Sequence, residues 1–126
     1  MKIALCGSAK FEQQFHEWDE QLALAGHITY SLAVYPSSKE GNKDWYDDAQ
    51  KQTLDLVHLA KIEESDAIVV LNHFLEDGIK SRPGPVQGYI GFSTAREIEW
   101  AKIRGKQVYY LNPPTGHLNA TFLLIR

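Results

Sequence analysis

Cysteine is scarce in this sequence: Cys6 is the single one among 126 residues. A disulfide within the chain is therefore excluded, which fits a reducing compartment. Long apolar runs are also lacking, and none approaches the length of a transmembrane helix. The apolar start at residues 2–6 reaches a glycine at once and is too short for the core of a signal peptide. We therefore expect a cytoplasmic protein without a membrane partner.

A strong charge of either sign is lacking as well. The formal net charge is -3 at pH 7, so the overall electrostatics do not favour nucleic acid as a partner. The patterns GxGxxG and GxxxxGK followed by Ser or Thr are absent, which argues against a dinucleotide-binding fold and a P-loop. One cysteine and no HxxxH pair leave no spacing typical of a zinc site. We expect no metal and no cofactor.

Short apolar or β-branched runs alternate with segments of helical period. Strands are predicted at residues 2–6, 27–35, 66–72 and 106–111, with a last edge strand at 120–125, and helices at 11–25, 45–63 and 94–104. Strands that alternate with helices form a mostly parallel sheet covered by helices on both faces. The length suits one domain over residues 1–126.

The first and third predicted strands end in residues suited to a ligand. Ligands of such sheets bind beyond the carboxyl ends of the strands, where the strand order reverses. Cys6, Gly7 and Ser8 follow the first strand, and Asn72 lies at the end of the third. Backbone N–H groups at a helix start favour an anion, and Ser8 can add its hydroxyl. On local geometry alone, we favour the interpretation in which Gly7 makes the turn and Ser8 caps the helix.

A long segment rich in glycine and proline, residues 73–92, runs to the same edge of the sheet. Connections of this length tend to be lids, binding loops or disordered segments. The end of the segment does not have a disordered composition. Gly91 lets the backbone approach a ligand, and Tyr89 offers a ring face and a hydroxyl. A surface insertion is an equally good interpretation of the segment as a whole.

Ser93, Thr94 and Glu97 form the sharpest local pattern. Thr94-x-x-Glu97 fits a capping box, in which Glu97 bonds back to the helix start, and for the motif alone this interpretation is preferred. In the alternative, Glu97 faces a pocket from the first helical turn, where the helix dipole favours the ionised form that a nucleophile needs. His58 in the second helix and Asp66 at the start of the third strand are candidate proton donors. Structural roles are more common for isolated residues of these types.

Three blocks of the sequence resemble nucleoside 2-deoxyribosyltransferase-like proteins. They are residues 3–8 (IALCGS), residues 58–66 (HxxKIxxxD) and residues 88–106 (GYIGFSTxxEIEWAxxxGK). The resemblance implies an α/β fold, a flavodoxin-like or Rossmann-like three-layer sandwich with a mostly parallel four- or five-stranded sheet. It also implies a single domain of this type over residues 1–126 and a homo-oligomer, a dimer or larger.

The same resemblance assigns roles to individual residues. In deoxyribosyltransferases and the related deoxynucleoside 5′-monophosphate N-hydrolases, a glutamate at the head of the last major helix attacks the anomeric carbon, and Glu97 matches it. Hydrolase relatives place an aspartate in the second helix, where this chain has His58. The catalytic candidates are Glu97, His58 and Asp66. The expected substrate-binding residues are Cys6, Gly7, Ser8, Asn72, Tyr89, Gly91, Ser93 and Thr94.

The implied reaction is cleavage of the N-glycosidic bond, or exchange of the base, on a nucleoside, a deoxynucleoside or a nucleoside 5′-monophosphate. A carboxylate next to a cation-like sugar stabilises the charge and then bonds to the anomeric carbon, so two displacements retain the configuration. A non-catalytic nucleotide-binding or sensing module on the same fold is one alternative, and a small interaction protein is another. The partner is a small nucleoside or nucleotide in the first two cases.

Overall fold

The structure is a computed structural model that describes residues 1–35, 46–73 and 88–125, and the backbone alone at 78–79 and 82–83. Residues 36–45 and most of the segment between 74 and 87 lie outside these ranges. The elements in chain order are β1 (Lys2–Cys6), a first 3₁₀ turn (Ala9–Phe11), α1 (Glu12–Leu24), β2 (Ile28–Tyr30), α2 (Asp48–Glu64), β3 (Ala67–Val70), β4 (Gly78–Ile79), β5 (Arg82–Pro83), α3 (Phe92–Ile103), β6 (Gln107–Tyr110), β7 (Leu118–Asn119) and a second 3₁₀ turn (Ala120–Leu124).

Five strands form one sheet in the order β2-β1-β3-β6-β7, and every neighbouring pair in it is parallel. β4 and β5 form a separate antiparallel pair. The chain steps from β1 to β2 on one side and then returns to place β3 on the other side of β1. The strand order therefore reverses between β1 and β3, and the carboxyl ends of these two strands border the crevice in which ligands of such sheets bind.

Helices cover both faces of the sheet, as the sequence predicted. Along β1, Ile3 and Leu5 face a core that contains Phe15 of α1, whereas Ala4 and Cys6 face a core that contains residues of α2 and α3. These four side chains are fully buried, and only Lys2 at the start of β1 is exposed. Successive side chains of a strand point to opposite faces, and a strand covered on both faces reads as a continuous apolar run. The α/β three-layer sandwich with a parallel five-stranded sheet is confirmed.

The second strand is shorter than the run of β-forming residues at 27–35. The last register pair joins Ala4 to Tyr30, and the chain then leaves the sheet. The Lys61 side chain on α2 donates a hydrogen bond to the Ser31 carbonyl oxygen at 2.8 Å. This contact holds the residues after β2 against α2. The end of the predicted strand therefore borders the crevice instead of pairing with the sheet.

The apolar run at 120–125 is not an edge strand, and that prediction was wrong. The Asn119 side chain accepts a hydrogen bond from the Thr121 backbone N–H at 2.9 Å and starts a 3₁₀ turn. Ala120 and Leu123 of this turn are buried in the core on the α1 face. The run is apolar because it packs against that face, and only β7 before it pairs with the sheet. None of the helices in the described ranges is long and apolar enough to span a membrane.

Candidate active site

The site is built where β1, α2 and α3 meet. Gly7 and Ser8 follow the carboxyl end of β1, His58 lies in the middle of α2, and Glu97 lies in α3. α2 and α3 pack on each other over the same face of the sheet. Because Cys6 is the last β1 residue and also points to that face, all of these side chains converge at one end of the sheet.

A cavity of about 380 Å³ opens at this end. This volume lies within the range of small-molecule sites in proteins. Its lining joins the β1 loop, the residues after β2, one face of α2 and the start of α3: Gly7, Ser8, Ala9, Leu32, Ala33, Val34, Leu54, Asp55, Val57, His58, Lys61, Tyr89, Gly91, Phe92, Ser93, Thr94 and Glu97. The cavity therefore lies at the switch point of the strand order, where the sequence analysis expected a ligand.

Glu97 does not cap its own helix. α3 begins at Phe92 with Gly91 as its N-cap, and no side chain makes a capping hydrogen bond there. The Thr94–Glu97 capping box is therefore wrong, because the helix starts earlier than residue 94. Glu97 lies in the second turn instead of the first, too far from the helix start for the dipole to favour ionisation strongly. Its carboxylate lines the cavity instead of returning to the backbone.

His58 and Glu97 are buried side by side. His58 Nε2 lies 3.7 Å from Glu97 Oε2, and both side chains are about nine-tenths buried. Burial and, to a smaller extent, the Asp55 charge raise the pKa of Glu97 to about 7, although Arg96 opposes the shift. Burial and then the Lys61 charge lower the pKa of His58 to about 4, although Asp55 and the Leu5 carbonyl oppose this. At neutral pH the imidazole is uncharged and the carboxyl group is near its midpoint, so the contact is not a full ion pair.

Cys6 lies beneath this pair. Its Sγ is 3.6 Å from His58 Nε2, and its side chain is fully buried. Burial and, to a smaller extent, the neighbouring Glu97 charge raise the pKa of the Cys6 thiol well above its usual value. Cys6 does not appear among the described residues that line the cavity. Predicted as a substrate-binding residue, it lies next to His58 and outside the lining of the cavity.

The loop after β1 is held by local contacts. The Ser8 hydroxyl accepts a hydrogen bond from the Lys10 backbone N–H at 3.3 Å and caps the first 3₁₀ turn. A Cβ at Gly7 would lie 3.3 Å from both Leu71 Cβ and the Leu71 carbonyl oxygen, so only glycine fits closely here. The interpretation of turn and cap is confirmed, and both residues also line the cavity.

Tyr89, Gly91, Ser93 and Thr94 meet at the start of α3 and line the cavity with Glu97. A Cβ at Gly91 would lie 3.2 Å from the Tyr89 hydroxyl oxygen, so the glycine lets the tyrosine ring fold against the helix start. The Tyr89 ring also packs edge-on against Phe11, with centroids 6.2 Å apart. Packing on both sides thus fixes the tyrosine hydroxyl near the helix start.

Two predicted site residues lie elsewhere. Asp66 stands before β3, at the amino end of the sheet, and its carboxylate accepts a hydrogen bond from the Lys2 backbone N–H at 2.8 Å. Parallel strands place all their amino ends at the edge opposite the cavity. Asn72 is at the correct edge, but its side chain is bound to Asn112: its Nδ2 donates to the Asn112 carbonyl oxygen at 2.6 Å. Neither residue is among those that line the cavity in the described ranges.

The sequence analysis missed part of the lining. Leu32, Ala33 and Val34 line the cavity from the segment predicted as strand, and the β-forming character of that segment concealed their role. Asp55 lies three residues before His58 on α2, a spacing that places two side chains on one helix face and could have identified it. Asp55 Oδ2 also lies 3.5 Å from Arg96 Nη2 of α3, which joins the two helices beside the site.

No protein-family model matches this sequence, and no curated protein matches it significantly. Solved structures do match the fold. A 2-deoxyribosyltransferase of Bacillus psychrosaccharolyticus has a TM-score of 0.61 at 17% identity, over 98% of this chain and 80% of that one. The CMP N-glycosidase BcmB of Clostridium botulinum has a TM-score of 0.50 at 17% identity, over 87% of this chain and 70% of that one.

A conserved protein of Enterococcus faecalis matches as well, with a TM-score of 0.53 at 19% identity, over 96% of this chain and 69% of that one. All three matches span most of both chains, so the likeness extends beyond one motif. At these identities the likeness concerns the fold. The chain is thus similar in fold to nucleoside 2-deoxyribosyltransferase-like proteins, the family that its sequence resembles.

Proposed function

We propose that this protein cleaves the N-glycosidic bond of a nucleoside or nucleoside 5′-monophosphate, or exchanges its base, with Glu97 as the nucleophile. One observation carries the proposal: a buried carboxylate lines a cavity at the switch point of an α/β sheet. The solved structures of similar fold include a 2-deoxyribosyltransferase and a CMP N-glycosidase. Both of those proteins act on the bond between a sugar and a base.

The proposed chemistry needs an ionised carboxylate beside the anomeric carbon. As the base leaves, positive charge develops on the sugar, and the Glu97 carboxylate stabilises it and then bonds to that carbon. Water as the second acceptor gives hydrolysis, and a second base gives transfer. The second displacement restores the original configuration at the anomeric carbon in either case.

His58 takes a positioning role in this proposal. With its pKa lowered to about 4, its imidazole is neutral near pH 7, and protonated imidazole is too rare there to serve as the main acid. His58 Nε2 lies 3.7 Å from Glu97 Oε2. The neutral ring packs against the carboxylate without adding a positive charge that would compete with the sugar cation. We assign the proton that the departing base requires to water in the cavity, since Asp66 lies at the opposite edge of the sheet.

The start of α3 suits the sugar or a 5′-phosphate. Gly91 begins the helix without a side-chain cap, and Ser93 and Thr94 line the cavity beside it. Uncapped N–H groups at a helix start favour an anion. Lys61 also lines the cavity, although its ammonium group donates to the Ser31 carbonyl oxygen. A nucleoside 5′-monophosphate is therefore the first substrate class to test.

A chromatographic assay for free base tests the proposal. The protein is incubated with the common ribo- and deoxyribonucleosides and their 5′-monophosphates, with and without a second base as acceptor. We expect base release from at least one compound and a loss of about 10³-fold or more in Glu97→Gln, because the nucleophile is removed. Glu99→Gln is the matched control, since Glu99 is exposed and pairs with Lys102 outside the cavity.

Equal turnover by Glu97→Gln and the unchanged chain would overturn the assignment of the nucleophile. Nucleotide-dependent thermal stabilisation without any base release would instead support the non-catalytic binding module. The two readouts are independent, because stabilisation needs only differential binding to the folded state.

A further inference from the structure

Three side chains that can each bind a metal ion lie close together at the cavity. One ligand atom each from Cys6, His58 and Glu97 lies within 4.8 Å of the other two, and all three residues are buried. They come from β1, α2 and α3. An imidazole and a carboxyl group are costly to bury when their hydrogen-bond partners are poor, and His58 Nδ1 is a buried atom without a hydrogen-bond partner among the described residues.

Two of the three separations between ligand atoms are close to the edges of a tetrahedral site. Zinc bonds to sulfur at about 2.3 Å and to nitrogen or oxygen at about 2.0–2.2 Å, so two ligand atoms in a tetrahedron lie about 3.3–3.6 Å apart. Cys6 Sγ and His58 Nε2 are 3.6 Å apart, which is long for a strong hydrogen bond. His58 Nε2 and Glu97 Oε2 are 3.7 Å apart. Cys6 Sγ and the Glu97 oxygen lie within 4.8 Å of each other, so the three atoms can bind one ion once this separation shortens to about 3.6 Å.

The cavity provides both an access route and a fourth position. His58 and Glu97 line the cavity, whereas Cys6 lies behind them. An ion held between the three atoms therefore faces the cavity on its open side, where water or a ligand can complete the coordination. Three protein ligands and one open position are typical of zinc sites that exchange ligands, whereas structural sites use four protein ligands.

We propose that Cys6, His58 and Glu97 bind one divalent transition-metal ion, with Zn²⁺ as the first candidate. On binding, the thiol proton and any proton on the carboxyl group pass to solvent, and bonds form from the ion to Sγ, Nε2 and a carboxylate oxygen. No electron is transferred. The histidine is already in the neutral form that a metal requires, and affinity falls as pH falls because the other two ligands must lose protons.

Metal binding at this site opposes glycosidic attack by the same carboxylate. An ion on one Glu97 oxygen withdraws negative charge from the other and places a cation beside the carbon on which positive charge develops. The ion and the substrate therefore compete for the site, and Zn²⁺ inhibits base release where that activity is present. The binding itself does not depend on the proposed function and is tested without substrate.

Titration with Co²⁺ alone, followed by displacement with Zn²⁺ alone, tests the site on the full chain. We expect one ion per chain and a thiolate-to-cobalt charge-transfer band in the near ultraviolet. Cys6 is the only cysteine of the sequence, so the band by itself shows that Cys6 binds the cobalt ion. Tetrahedral Co²⁺ also gives visible bands that are much stronger than those of octahedral Co²⁺.

Three variants distinguish the site from adventitious binding. Cys6→Ala is expected to remove the charge-transfer band. His58→Gln and Glu97→Gln are each expected to weaken Zn²⁺ binding by more than about 100-fold. That loss is larger than the loss of affinity expected when a residue that only orients a ligand is replaced. His16→Gln is the control: His16 is exposed beside Glu12 on α1, and this variant keeps the band and the affinity. A thermal melt of each variant without metal checks that it folds.

Absence of a thiolate band at saturating Co²⁺ would overturn the proposal. Equal Zn²⁺ affinity in Glu97→Gln or His58→Gln would overturn it too, even if Cys6→Ala failed to fold. If instead no base release is ever detected but the band and the variant losses are found, the metal site stands and the proposed glycosidase function fails.

Discussion

Glu97 is the residue whose ionisation most affects the proposed chemistry. Burial, and secondly Asp55, raise its pKa to about 7, and only the ionised form is a nucleophile. We therefore predict that kcat/KM rises with pH through about 7 and then levels. A pH–rate profile in buffer with a chelator measures this, and Asp55→Asn is expected to move the midpoint to lower pH. A profile that is flat from about pH 5 to about pH 9 would contradict the assignment.

The raised pKa of Glu97 also has a consequence for stability. The folded pKa of about 7 lies above the ordinary value of 4.5, so between these two pH values the folded chain binds more protons than the unfolded chain. The contribution of Glu97 to stability is therefore largest below the ordinary value of 4.5 and is lost as the pH rises through about 7. Glu97→Gln removes this loss, and we predict that it stabilises the protein at pH 8 by up to about 3 kcal/mol.

Urea unfolding at about pH 5 and about pH 8 measures this effect, with Glu99→Gln as the control.

The lowered pKa of His58 affects stability in the other direction. Its folded pKa of about 4 lies below the ordinary 6.5, so it contributes a loss of stability as the pH falls from 6.5 toward 4. Greater stability of the unchanged chain than of Glu97→Gln at pH 8 would show that the carboxylate is better paired in the protein than the contacts indicate.

At the scale of elements, Asn72 and Asn112 join the carboxyl ends of β3 and β6. Besides the bond from Asn72 Nδ2, the Asn112 backbone N–H donates to Asn72 Oδ1 at 2.9 Å, and Asn112 Nδ2 donates to the Asn72 carbonyl oxygen at 2.8 Å. We predict that Asn72→Ala lowers the free energy of unfolding by about 1–2 kcal/mol through lost and unpaired hydrogen bonds.

A double-mutant cycle of Asn72→Ala and Asn112→Ala, followed by urea unfolding, measures the coupling. Each of the three bonds joins one residue's side chain to the other's backbone, so no single bond is lost in both variants, and a small coupling, within about 0.5 kcal/mol, is expected. The KM for substrate stays unchanged, since Asn72 does not reach the cavity in the described residues. A raised KM with unchanged stability would instead make Asn72 the substrate-binding residue that its place in the sequence predicted.

The elements that sequence analysis predicted well are those with a strong local pattern. β3 is a run of four fully buried apolar residues within the strand predicted at 66–72. The helix predicted at 45–63 begins at Asp48 instead, after a capping box in which Asp47 and Gln50 exchange hydrogen bonds. The predictions at 27–35 and 120–125 were less accurate because apolar and β-branched residues also line cavities and pack in turns. Whether such a segment pairs with the sheet depends on register and side-chain capping in the folded chain.

For the whole molecule, the two cores share one sheet and are expected to unfold together. Leu5 faces the α1 core and Ile68 faces the core of α2 and α3. Leu5→Ala and Ile68→Ala should each cost about 2–5 kcal/mol, because each leaves a cavity among packed side chains. Both should shift one common transition, as expected of one domain.

Denaturant unfolding followed by circular dichroism and tryptophan fluorescence tests this prediction. Leu24→Ala is the control, since Leu24 is 55% exposed and its loss is expected to change stability by no more than about 0.5 kcal/mol. Two separate transitions, with each substitution shifting only one of them, would show that the faces of the sheet fold independently.

The sequence by itself determined the layered architecture, because helical and strand periods depend on neighbouring residues and because buried parallel strands are apolar along their whole length. Glu97 and His58 became candidates through the resemblance to nucleoside 2-deoxyribosyltransferase-like proteins, since local pattern alone favoured structural roles for both. Only the tertiary structure decided that Cys6, 52 positions from His58, lies against it, that Glu97 faces a cavity and that Asp66 lies at the far edge. Strand order and helix packing bring distant residues together, and the spacing of residues along the chain does not indicate which of them will be in contact.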